Sequence, residues 1–244
     1  MTDADLAVLF DMDGLLVDTE PLWFVVESAV FQRLGASRPW TPQDAGTLVG
    51  NALQVSAAAM TALAGSDRPA ADVVGWFVEE MAGQLDGGVP WKPGALDLLA
   101  QLRDAGVPTA LVSSSYRRLV QPVLDQLPAG TFTASVAGDE VTEGKPHPEP
   151  YLKALRLLAA APRRAVVLED SPTGARAAAA AGCTVVLVPD LAPLPPRHPW
   201  VYARSLTEVT LGWLRGLLGG DGGQHVQVGG TASRDDGGQD ADEC

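Results

Sequence analysis

The chain has 244 residues, 46% hydrophobic and 19% charged, the balance of a soluble folded protein of one or two domains with a full core. Its formal net charge of −13, with lysine only at Lys92, Lys145 and Lys153, excludes a nucleic-acid partner, because phosphate-backbone binding draws on clustered Lys and Arg. Cys183 and Cys244 make no disulfide framework, the opening MTDAD is acidic where a signal peptide is basic, and no apolar stretch approaches the ~20 residues that span a bilayer. A cytoplasmic protein with no membrane partner is expected.

The first element is the apolar run Leu6 to Phe10, too short for a helix and closed at once by an acidic turn, DMDGLLVDTE at 11–20. It reads as a buried strand that delivers Asp11 and Asp13 to its carboxyl end, the edge at which open parallel sheets bind ligands. Gly14 lets the chain turn away there while backbone amides approach an anion. Two carboxylates one residue apart raise each other's cost of ionisation unless a cation is shared between them, so the decapeptide suggests a metal-dependent acid and nucleophile pair.

From about Thr19 to Pro90 no strand is convincing. Helical patterns run over Leu22 to Leu34, Leu53 to Leu63 and Ala71 to Leu85, broken by Gly- and Pro-bearing turns such as Arg38-Pro39 and Gly87-Gly88. The interval is expected to be a helical insertion whose helices pack through Trp23, Phe24, Trp76 and Phe77. It leaves just after the acidic turn and returns at Trp91-Lys92-Pro93-Gly94, so both connections lie beside the presumed site and the insertion can serve as a lid.

Thereafter strands and helices alternate. Strands are expected at Val107 to Val112, Ser135 to Ala137, Ala165 to Leu168 and Thr184 to Val188, each apolar enough to be buried on both faces as parallel strands are. Helices are expected at Ala95 to Ala105, Arg117 to Gln126 with Pro122 inside it, Pro150 to Ala161, and Thr173 to Ala181, two of them stopped by Gly106 and Gly182. Right-handed βαβ crossovers in a doubly wound α/β sheet follow. The expected organisation is a core of residues 1–18 and 91–218, a helical cap of 19–90, and a tail of 219–244. That tail, rich in Gly and Asp, has one arginine against six acids and too little to bury, so it is expected to be disordered; without it the chain carries −8.

Four separated elements in this order resemble the haloacid dehalogenase superfamily, in its branch of capped small phosphatases and β-phosphoglucomutases, over about residues 6 to 210. DMDGLLVDTE is similar to the family's first motif; LVSSS at 111–115 to the second; GKPHPEPYL at 144–152 to the third; VVLEDSPTGARAAAAAG at 166–182 to the fourth. The resemblance implies a Rossmann-like core with an inserted cap. It also implies a Mg²⁺-dependent phosphatase acting on a small phosphorylated metabolite through an aspartyl-phosphate intermediate.

The implied roles follow the chemistry. A phosphate monoester is a dianion, and bringing Asp11 up to it costs about 4 kcal/mol per pair of unit charges at ~4 Å with an effective dielectric of ~20. The family's arrangement offsets this with Mg²⁺ on Asp11, Asp170 and the backbone carbonyl of Asp13, with Lys145 as a compact cation, and with Ser113 and Ser114 binding the phosphoryl group. Asp11 is then the nucleophile and Asp13 the acid that protonates the leaving alkoxide and later takes a proton from water. Glu169 is expected to hold a metal-bound water, and Gly174 to let the helix after it pack closely.

Dehalogenases of the superfamily lack the second aspartate and the acidic metal pair, so dehalogenation is not expected. The alternative is a mutase of the β-phosphoglucomutase type. It is disfavoured because GNALQVSAA from Gly50 has no Arg near it and because Tyr116 stands where a Lys follows the Ser-x-Ser; Arg117 would serve only after a local rearrangement. DTEPLW at 18–23 looks like the sugar-phosphate and polyol-phosphate phosphatases. A non-catalytic phospho-ligand binding protein, the further alternative, is expected to have lost the nucleophile or the acid. Which of Glu20, Asn51 and Gln54 reaches the substrate is left open, as is the ester itself; a monomer is expected because lid motion is easiest in one.

Overall fold

The computed structural model describes residues 6–48, 53–189 and 199–219. Six parallel strands form one sheet in the order β3-β2-β1-β4-β5-β6: β1 Ala7–Phe10, β2 Thr109–Val112, β3 Ala134–Val136, β4 Ala165–Glu169, β5 Thr184–Leu187 and β6 Val201–Tyr202. β1 is central, pairing Leu9 with Ala110 of β2 on one side and with Val167 of β4 on the other. The strand order reverses direction at β1, which opens a crevice at the carboxyl edge between β1 and β4. Side chains of β1 alternate between two apolar layers: Val8 and Phe10 bury on one face, Ala7 and Leu9 on the other. That two-sided burial is why the strands read as continuous apolar runs.

Helices cover both faces: α5 Ala95–Asp104, α6 Arg117–Asp125, α7 Glu149–Leu157, α8 Pro172–Ala180 and α9 Leu211–Gly219. The expected strands and helices are all present, with shifted ends. β2 begins after Pro108, whose carbonyl accepts from Val8 N at 3.0 Å, and α7 stops at Leu157, short of Ala161, where Ala159 takes a positive φ of 51°. Gly94 also has positive φ, 84°, and a Cβ there would meet the Thr207 backbone nitrogen at 2.5 Å.

Between β1 and α5, the described residues form four helices: α1 Glu20–Arg33, α2 Pro42–Gly46, α3 Leu53–Ala64 and α4 Ala70–Asp86. The short α2, where no helix was expected, starts at a capping box in which Thr41 and Asp44 satisfy each other's backbone amides. Trp23 and Phe77 meet edge to face at 6.4 Å, and Trp76 lies under the Arg33 guanidinium at 4.0 Å. Phe24 does not join them; it is 37% exposed. The two connections to the sheet run side by side, with Asp18 N donating to Pro90 O and Lys92 N to Leu16 O, both at 2.8 Å. Next to them α4 packs along α6, and the Gln126 side chain accepts from Val89 N and donates to Leu85 O, both at 3.0 Å. Gly50 and Asn51 lie outside the described residues, as does everything after Gly219, including the segment expected to be disordered. Among the described residues no helix is long and apolar enough to cross a membrane.

Glu27 of α1 is buried, its carboxylate accepting from Trp40 Nε1 at 2.9 Å, while Trp40 packs against Phe31 at 4.9 Å with the rings tilted by 57°. Burial pushes Glu27 from an ordinary 4.5 up to about 7, against the opposing bond from Trp40. The folded chain therefore holds an extra proton between those values, and this group's contribution to stability is full below pH 4.5 and is lost as pH rises through 7. Glu27→Gln keeps an acceptor for Trp40 and removes the slope. We expect it to gain about 1 kcal/mol at pH 8, after allowing for partial solvent screening, and nothing at pH 4. Denaturant midpoints at the two pH values check this, and equal shifts at both would refute it.

Candidate active site

Asp11 follows β1 directly, its backbone N–H still donating to Leu168 O of β4 at 3.1 Å, so the sheet itself holds the carboxylate over the crevice. The chain then folds tightly back: Leu16 N and Val17 N both reach Met12 O at 3.0 Å, and Gly14, at φ 80°, donates to Val17 O at 2.9 Å. This turn presents Asp13 to the end of β2. Asp13 Oδ2 accepts from Ser113 Oγ at 3.1 Å and Ser115 Oγ at 2.9 Å, while Ser113 Oγ accepts from Ser115 N at 2.9 Å. Burial raises the Asp13 pKa, against hydrogen bonds from Ser115, Thr19 and Ser113. Ser114 is exposed, and its carbonyl lies against Gly138 so closely that a Cβ at 138 would overlap it.

Lys145, on the loop before α7, is deeply buried, and all three of its protons are engaged. Nζ donates to Asp11 Oδ1 at 2.5 Å, to Glu169 Oε1 at 2.6 Å and to Val112 O at 2.9 Å. Burial alone would lower its pKa, but Asp11 and Glu169 carry it well above the ordinary lysine value, so it is a fixed cation. Glu169 ends β4 with no solvent exposure. Its Oε1 also accepts from Tyr151 O–H at 2.5 Å, and its Oε2 from Ser171 Oγ at 3.1 Å. Ser171 in turn caps α8, accepting from Gly174 N at 3.1 Å.

Close packing at Gly174 has a specific cause: a Cβ there would overlap the Glu169 carboxylate. Gly174→Ala must displace either α8 or Glu169, and with it Lys145. We expect a loss of about 2–3 kcal/mol in chemical denaturation, with reduced turnover; an alanine variant as stable as the parent would show that α8 shifts freely.

Carboxylate oxygens of Asp11, Glu169 and Asp170 lie within 4.8 Å of one another. Burial raises the pKa values of Asp11 and Asp170; Lys145 opposes both shifts, the charges of Glu169 and Asp13 add to both, and that of Asp11 adds to the shift of Asp170. With Asp13 nearby, four acids face one ammonium in a buried place. Hard oxygen donors in excess of local positive charge suit a hard divalent cation, so the residues present fit a metal such as Mg²⁺. Asp11 and Asp170 stand in this cluster together with Glu169, whereas Asp13 has its carboxylate turned to the serines.

The structure thus gathers Asp11, Asp13, Ser113, Lys145, Glu169 and Asp170 at one sheet edge. Sequence reasoning missed Ser115, Tyr151 and Ser171. The Ser171-Pro172 start of α8 was a readable N-cap signal, whereas nothing local marks Tyr151 as the partner of a carboxylate eighteen positions on.

The model of the haloacid dehalogenase-like hydrolase family matches residues 8–188. The chain belongs to that family. Hexitol phosphatase A of Escherichia coli is 33% identical over 184 residues, covering 74% of this chain and 81% of that protein. A phosphoglycolate phosphatase of Pseudomonas putida is 30% identical, covering 73% of this chain and 67% of the relative. Among solved structures, a mutant CbbY from Rhodobacter sphaeroides in complex with xylulose-1,5-bisphosphate superposes with a TM-score of 0.76 at 29% identity, covering 88% of this chain and 99% of that one. Membership in the haloacid dehalogenase-like family accounts for the parallel sheet and for acidic and basic residues converging on its carboxyl edge.

Proposed function

We propose that this chain is a Mg²⁺-dependent phosphatase of small phosphate monoesters, a sugar or polyol phosphate, working through an aspartyl phosphate on Asp11. Family membership and the named phosphatases among its relatives carry the hydrolase activity. The single observation supporting the mechanism is that Lys145 is clamped between Asp11 and Glu169 while Asp13, one turn away, is held apart on Ser113 and Ser115. Two carboxylates of one decapeptide thereby have different surroundings, the condition for different roles.

In the proposed reaction an oxygen of Asp11 attacks phosphorus and the bond to the leaving oxygen breaks. Protonated Asp13 gives its proton to that alkoxide. Water then attacks the phosphorus, passing a proton to the Asp13 carboxylate, and Asp11 and inorganic phosphate are released. Lys145, Ser113 and Ser114 bear the charge of the phosphoryl oxygens. Asp11, Asp170 and the Asp13 carbonyl would hold Mg²⁺, which when bound neutralises charge between nucleophile and phosphate. Glu169 fixes Lys145 and would hold a water of the bound cation. Residues 19–90 are the cap that closes over this site, and residues 1–18 with 91–218 are the core.

A mutase must hold a second phosphate, and the nearest candidate on the core is already engaged. Arg117 donates to Glu140 at 2.8 and 2.9 Å and to Ser135 Oγ at 2.9 Å. Phosphate release from p-nitrophenyl phosphate should require Mg²⁺ and cease with chelator, and Mg²⁺ at about 100 times its Kd should add about 2.7 kcal/mol of stability. Metal-independent release would remove the cation from the mechanism. Conversion of a hexose 1-phosphate into its 6-phosphate isomer, in place of inorganic phosphate, would replace the phosphatase with the mutase.

A further inference from the structure

The leaving group must depart past Asp13, because that acid protonates it. Asp13 is bonded by the side chains of Ser115 and Thr19, and at Tyr116, next in the chain to Ser115, Nε2 of Gln54 of α3 donates to the phenol hydroxyl at 2.6 Å, so a helix of the 19–90 segment meets the core there. These are a phenol, an amide and two hydroxyls, groups that bond to neutral hydroxyls as well as to one another.

Charge around this path is one-sided. The segment 19–90 has three cations against eight acids, and residues 49–52 add none. Each of the three is committed elsewhere. Arg33 lies over Trp76; Arg38 donates to Asp44 at 2.6 and 2.8 Å; Arg68 faces Asp72 at 3.9 Å and lies 5.5 Å from the Trp76 ring centroid. On the core, Lys92 pairs with Asp18 at 3.6 Å, Arg117 with Glu140, and Lys145 with Asp11 and Glu169. Arg118 is exposed on α6, whose buried residues are Leu119, Val120, Pro122 and Val123.

We infer that the site takes singly phosphorylated esters whose leaving group is an uncharged polyol, and rejects esters bearing a second phosphate or a carboxylate. A second anion would leave water beside a segment of formal net charge −5 in which, among the described residues, each cation already has a partner, a like-charge juxtaposition that costs affinity. The inference rests on the phosphatase reading. It separates this chain from the bisphosphate-bound CbbY and from the phosphoglycolate phosphatase, which it resembles in fold or sequence.

The test compares kcat/KM of the full chain with Mg²⁺ on glycerol phosphate and a hexitol phosphate against phosphoglycolate and a pentulose bisphosphate, with p-nitrophenyl phosphate as reference. The neutral polyol esters should exceed both anionic ones by about 100-fold. Gln54→Lys and Tyr116→Lys should each raise kcat/KM for the bisphosphate about tenfold through a lower KM. Arg118→Ala should leave the ratio of the two classes unchanged. A wild-type preference for either anionic ester, no response to both lysine variants, or a changed ratio in Arg118→Ala overturns the inference while leaving the phosphatase reading intact. No release from any ester, p-nitrophenyl phosphate included, overturns both.

Discussion

Asp11→Asn abolishes turnover and leaves the protein at least as stable as before. Asparagine matches aspartate in shape, and its Oδ1 still accepts from Lys145, which keeps its bonds to Glu169 and Val112. What disappears is the nucleophile, and loss of an attacking group costs roughly 10³-fold or more in kcat. Stability moves the other way because burial already raises the Asp11 pKa, so its ionised form is a cost the fold carries for function. Inorganic phosphate release and thermal melting test the pair of outcomes together. Turnover within tenfold of the parent would remove Asp11 from the role of nucleophile; a sharp fall in melting temperature would show that its charge is structural.

Lys145→Met fails in both respects. Methionine fills nearly the same volume, so the loss is electrical: Asp11 and the fully buried Glu169 are left without their cation. Removing one partner of a buried ion pair costs about 3–5 kcal/mol because the remaining charge is uncompensated. The variant's Asp11 should bind a proton more readily still, because Lys145 no longer opposes the upward shift that burial gives it. A group with a raised folded pKa favours the folded state below its ordinary pKa and loses that advantage as pH climbs. The deficit of Lys145→Met against the parent should therefore be smaller at pH 5 than at pH 8, and Mg²⁺ should restore part of it at pH 8. Denaturant midpoints at the two pH values, with and without Mg²⁺, read this out. A deficit independent of pH would assign the loss to packing.

Much of the architecture could be read from single residues because the physics there is local. β1, β2, β4 and β5 are buried on both faces, so each is a continuous apolar run, and α5 and α8 end beside Gly106 and Gly182 as left-handed stops require. β6, two residues long and half-buried, carries no such signature and exists only because β5 offers it an edge. Phe24 shows the converse error: an aromatic in an apolar helix was expected inside, but α1 turns it to solvent while Trp23 takes the contact with Phe77.

At the site the division is similar. The acidic decapeptide, the serine run and the Glu169-Asp170 pair are chemical types at strand ends and Lys145 is a lysine in a loop before a helix, and residue type with local pattern determines such features without reference to distant chain. Their partnerships are not local. Lys145 meets Asp11 across 134 positions and Asp13 meets Ser115 across 102, and only the parallel sheet, with β1 between β2 and β4, brings them together. Arg117 illustrates the consequence: by sequence it stands next to the tyrosine that replaces a phosphate-gripping lysine, yet the fold ties it to Glu140. The sequence by itself determined which reactive groups this protein owns. Tertiary structure decided which of them are shielded, paired or left facing the leaving group, because charge and burial depend on neighbours that chain order does not specify.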